Sequence, residues 1–112
     1  MEKRERVLII DDSSVQANML KSILEGDYDI TVEHTAEEGL HQVRVGDFSL
    51  VLLDVIMPGM DGFELLQRMQ EEVVTKRIPV ILITSLRDTE YEERGLVLGA
   101  VDYITKPYHP PI

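Results

Sequence analysis

The chain has 112 residues, enough for one compact domain that buries roughly two-thirds of the surface its unfolded form would expose, and too few for a second. Hydrophobic residues make up 44% and charged residues 29%, a globular balance that argues against a disordered chain. With 21 acidic against 11 basic residues the net charge is -10, which repels nucleic acid phosphates, and the absence of cysteine removes disulfides and thiolate metal sites.

The opening, MEKRERVLIIDD, carries too short an apolar run for a signal peptide, and no later stretch reaches the roughly 18 apolar residues of a membrane span. The expected setting is the cytoplasm, with neither membrane nor nucleic acid as a direct partner. Val7 to Ile10 is a continuous apolar run ended by Asp11 and Asp12, which suits a strand buried on both faces. Ser13 or Ser14 can cap a helix whose apolar positions are Val15, Met19, Ile23 and Leu24, with Gly26 as a stop. Residues 30–34 favour a short strand, because Ile30 and Val32 alternate with polar neighbours.

Thr35 with Glu38 forms a capping box for a second helix, in which Leu40 and Val43 are apolar and which Gly46 closes. Phe48 to Leu53 is the third strand. Asp61 with Glu64 repeats the cap logic and predicts a helix with Phe63, Leu66, Met69 and Val73 facing inward. Pro79 to Ile83 is a fourth strand, Thr89 to Leu98 a fourth helix ended by Gly99, and Tyr103 to Thr105 a fifth strand. This alternation indicates one α/β domain, spanning residues 1–112, with a doubly wound five-stranded parallel sheet covered by helices on both faces.

After Lys106 and Pro107 only Tyr108-His109-Pro110-Pro111-Ile112 remain, too few for a final helix over the last strand. We expect a domain whose final helix is truncated, cut from a longer protein, and which exposes apolar surface and can dimerise.

An isolated buried carboxylate is costly and normally has a hydrogen-bonding partner, a counter-charge or a metal, so Asp54 at the end of the greasy run VLLD stands out. Ligands of open parallel sheets sit outside the carboxyl ends of the strands. If the first and third strands are neighbours, Asp11, Asp12 and Asp54 meet there. Taken alone, each such aspartate is more often a cap or turn residue; together they suit a hard divalent ion, Mg2+ with retained waters. Thr84 and Lys106, at two further strand ends, supply a hydroxyl and an ammonium for a phosphoryl group in the same crevice.

In that order and spacing, IIDDS, LLDVIMPGMDG, ITS and YITKP resemble the receiver domain of two-component response regulators, of the chemotaxis-receiver type, over nearly the whole chain. The resemblance implies a flavodoxin-like strand order 2-1-3-4-5. It implies that Asp54 accepts a phosphoryl group from a histidine kinase or phosphotransfer protein, assisted by Thr84 and Lys106. It implies Mg2+, or Mn2+ in its place, on Asp12, Asp54 and the backbone carbonyl of Ile56, with Asp11 acting mainly through water. Thr84 and Tyr103 are then the switch residues that signal to an output domain or effector protein, in a domain that catalyses only its own phosphorylation and dephosphorylation.

Ile56 and Leu86 stand where fast-hydrolysing relatives often hold polar residues, so a long-lived phosphoryl state is expected. His34, His41 and His109 are scattered and read as surface histidines; Met57 and Met60 read as packing around the turn. The ending KPYHPPI resembles receivers joined to cyclic-dinucleotide enzymes or to histidine kinases. Three other readings compete. An unphosphorylated pseudo-receiver keeps the fold but has no use for the intact acids. A phosphatase with an aspartyl intermediate wants an acid where Ile56 stands, and a nucleotide-binding fold wants a glycine-rich loop that is missing.

Overall fold

In the computed structural model, residues 4–85 and 89–106 are described. Strands β1 (Arg6–Ile10), β2 (Asp29–Glu33), β3 (Leu50–Asp54), β4 (Val80–Ser85) and β5 (Asp102–Lys106) alternate with helices α1 (Ser14–Leu24), α2 (Ala36–Val45), α3 (Gly62–Glu71) and α4 (Thr89–Val97). All neighbouring strands are parallel, and the sheet order is β2-β1-β3-β4-β5, as the resemblance implies. The tail with its expected truncated helix, and Leu86 and His109, lie outside the described residues.

The apolar runs behave as two-faced strands, because successive side chains point to opposite sides of the sheet. Leu8, Ile10, Val51, Leu53 and Leu82 pack on one face with Leu40 and Val43 of α2 and Phe63, Leu66 and Met69 of α3. Val7, Ile9, Leu52 and Ile83 face the other way, onto Ala17 and Leu20 of α1. At roughly 1.5–3 kcal/mol per fully buried large apolar side chain, these clusters supply the main drive for folding. On β5, Tyr103 and Ile104 are exposed.

The caps explain where the helices begin. Ser13 accepts the Gln16 N–H, Thr35 the Glu38 N–H and Asp61 the Glu64 N–H, each satisfying an otherwise orphaned donor of a first turn. Two inward stripes need correcting. In α1 the buried residues are Ala17 and Leu20, with Leu24 half-buried beside them, whereas Val15 is 72% exposed and Met19 and Ile23 are exposed too. A small alanine carries less hydrophobic signal than valine or methionine, so periodicity alone chose the neighbouring stripe. Val73 lies beyond the end of α3 and is 75% exposed; the helix stops at Glu71, before the stripe can reach it.

Candidate functional site

The parallel ladder carries five of the expected residues to one rim. Asp54 is the last residue of β3 and Lys106 the last of β5, while Asp11 and Asp12 follow β1 directly. Thr84 sits one place beyond Ile83, the register partner of Asp54, and one before Ser85, the register partner of Lys106. One carboxylate oxygen from each of Asp11, Asp12 and Asp54 lies within 4.8 Å of the other two. The Lys106 Nζ stands 3.5 Å from Asp11 Oδ2 and 3.5 Å from Asp54 Oδ1.

Burial sets the electrostatics. Asp11 is fully buried and Asp54 only 6% exposed, whereas Asp12 is open to solvent. Burial, followed by the charge of Asp11, pushes the Asp54 carboxyl up from its ordinary 3.8 to about 7, with the Lys106 ammonium pulling the other way. Without a cation, Asp54 therefore holds a proton for much of the time near neutral pH. Repulsion from Asp11 adds to the effect of burial, and a divalent ion on these oxygens would relieve it.

The donor set fits such an ion. It is made of oxygens alone, which suits a hard cation that keeps part of its water shell. Two buried oxygens in this region, Asp11 Oδ2 and Thr84 Oγ1, have no hydrogen-bond partner among the described residues. Buried polar atoms are ordinarily paired, so both are ready for a group arriving in the crevice.

The backbone after Asp54 is held tightly. The Val55 N–H donates to the Ile83 carbonyl at 3.2 Å, and the Gly62 N–H donates to the Val55 carbonyl at 2.9 Å. A Cβ on Gly62 would stand 2.4 Å from the Asp54 carbonyl oxygen, so only glycine lets α3 start this close to the end of β3. Between them, Gly59 takes the left-handed φ of +76° that the turn requires. The Ile56 side chain is 61% exposed, Met57 is buried and Met60 packs against the core, as expected of the turn methionines.

Tyr103 is 38% exposed on β5, three residues before Lys106. His34 and His41 are exposed, as read from the sequence. The His34 ring nevertheless does more than face solvent, because its Nδ1 lies 2.9 Å from the Asp11 carbonyl oxygen. Glu37 was likewise unforeseen: its Oε1 accepts the Met60 N–H at 3.3 Å, tying α2 to the turn after Asp54. Gly62, directly after the capping Asp61, carried the one readable hint, since a glycine opening a helix often marks a close approach.

The model of the response regulator receiver domain family matches residues 7–111. The transcriptional regulatory protein YkoG of Bacillus subtilis, itself uncharacterized, is 40% identical over 96% of this chain, which spans 46% of it. Histidine kinase P4 of Formosa agariphila is 34% identical over 96% of the chain, here only 8% of the relative. The chain thus spans less than half the length of these curated relatives. The crystal structure of a CheY-like response regulator receiver domain protein from Methanospirillum hungatei superposes with a TM-score of 0.86 at 33% identity, covering 96% of this chain and 86% of that one. With a matching model across nearly all its residues and the same sheet order, the chain belongs to the family of response regulator receiver domains of two-component signalling.

Proposed function

We propose that Asp54 is the phosphoacceptor and that the crevice transfers a phosphoryl group to it from the phosphohistidine of a histidine kinase or phosphotransfer protein, in a reaction that needs Mg2+. An Asp54 oxygen attacks phosphorus in line, the phosphorus–nitrogen bond of the donor breaks, and its electron pair stays on the imidazole, which then takes up a proton. Asp11, Asp12 and Asp54, with the Ile56 carbonyl, would hold the cation, which supplies neutralisation of charge on the phosphoryl oxygens. Lys106 adds a second positive charge beside Asp54, and the Thr84 hydroxyl, which has no partner among the described residues, donates to the new phosphoryl group.

The observation that carries this reading is the meeting of three carboxylates within 4.8 Å beside a lysine that reaches two of them. Modification adds roughly -1.5 to -2 charge and new acceptors. Thr84 moving toward them would free space for the Tyr103 ring to turn inward, passing the signal to an output domain or effector. The lengths of the relatives fit a domain that works within a larger protein.

The test is to mix the protein with acetyl phosphate and Mg2+ and weigh it intact. One phosphoryl mass should appear on the wild type and none on Asp54→Asn. An unmodified wild type would instead favour a pseudo-receiver that acts by binding alone.

A further inference from the structure

We propose that His34 is a positioning residue for the acidic pair, holding the Asp11–Asp12 peptide so that Asp12 points at the cation site; the inference rests on the magnesium reading above. The parallel ladder between β1 and β2 ends with the Asp11 N–H donating to the Glu33 carbonyl at 3.1 Å. Beyond that rung the chain leads from β1 into α1 and from β2 into α2. The His34 ring then continues the ladder by one step, with Nδ1 2.9 Å from the Asp11 carbonyl oxygen. A carbonyl can only accept, so Nδ1 carries the proton and donates.

That carbonyl shares its peptide plane with the Asp12 N–H and Cα, so fixing the plane places the Asp12 Cα and leaves only rotation about the N–Cα bond to set where its side chain leaves the backbone. Asp11 needs less help, because it is fully buried and its Oδ1 accepts the Ser13 N–H at 2.9 Å. Asp12 is exposed, so surrounding side chains do not enclose it, and the orientation of its peptide matters more. Partners that orient metal ligands without touching the metal commonly change affinity by tenfold or more. Here the contact acts through the main chain and is partly exposed, so a smaller effect is expected.

Three variants separate the hydrogen bond from the ring. In Asn the amide nitrogen stands as many bonds from Cα as His Nδ1 does; in Gln it stands one bond further out; Ala offers no donor. The Mg2+ dissociation constant is read from backbone amide chemical shifts of Asp12 and Ser13, with circular dichroism confirming the fold. His34→Ala and His34→Gln should weaken Mg2+ binding by about 3- to 10-fold, and His34→Asn should stay within about twofold of the wild type. Wild-type affinity in His34→Ala, or equal loss in all three variants, would overturn the role of His34 and leave the magnesium reading intact. Absence of Mg2+ binding by the wild type would overturn that reading and this inference with it.

Discussion

Lys106 Nζ and Asp54 Oδ1 lie 3.5 Å apart although their strands, β5 and β3, are separated by the whole of β4. The lysine reaches across the end of a strand that terminates in Thr84 and Ser85, and it also meets Asp11, which follows β1 on the far side of β3. This ammonium is the cation that the described residues place against both buried acids. Lys106→Ala should therefore destabilise the metal-free protein at pH 8 by about 1–3 kcal/mol, since two buried carboxylates lose their counter-charge. Urea unfolding with a chelator present checks this; an unchanged midpoint would show that the pair adds nothing to stability.

The pH dependence follows from Asp54. Its carboxyl sits near 7 in the folded protein against an ordinary 3.8, so between those values the folded state binds more protons than the unfolded one. Stability of the metal-free protein should fall as pH rises from about 4 to about 7 and this contribution should level off above. Asp54→Asn removes the ionisation, so the variant should melt roughly 10–20 °C higher than the wild type at pH 8, from a gain of up to about 4 kcal/mol. The gap should close toward pH 4. A constant gap across that range would assign the effect to something other than this carboxyl.

Under the proposed phosphorylation of Asp54, the lifetime of the phosphoryl group depends on what can position water beside it. Ile56 is exposed two residues after Asp54 and has no polar side-chain atom to offer an attacking water. The phosphorylated protein, once isolated, should stay modified long after the donor is removed, and Ile56→Asn should lose its phosphoryl group several-fold faster. Following intact mass over time decides it; complete hydrolysis of the wild type within seconds would contradict the expectation.

Gly62→Ala tests the approach of α3 to the end of β3. The added methyl would meet the Asp54 carbonyl at 2.4 Å, and backbone cannot give way as a flexible side chain can. A loss of about 2–4 kcal/mol in urea unfolding is expected, with weaker phosphorylation because Asp54 itself is displaced. Wild-type stability in this variant would mean that the helix start can shift freely.

The elements that the sequence made legible are those written in local chemistry. Continuous apolar runs located the strands, the Ser13, Thr35 and Asp61 caps located the helix starts, and acids at strand ends pointed to the crevice. The strand order came from resemblance, since spacing does not say which strands touch. What stayed hidden depends on three-dimensional approach. Ala17 hides in the α1 pattern because its packing comes from small size. His34 meets Asp11 across 23 residues, and Glu37 meets Met60 across the same separation, so no local pattern announces either contact.

The clamped backbone around Asp54 has a thermodynamic consequence. With Val55 bonded to Ile83 and Gly62 bonded to Val55, the main chain that bears the carboxylate is immobilised during folding itself. A fixed residue gives up roughly 1–2 kcal/mol of backbone entropy, and here that loss precedes any encounter with a donor. Under the proposed phosphoryl transfer, what remains for the encounter is alignment of one short side chain, so a donor as small as acetyl phosphate should suffice without a docked protein partner.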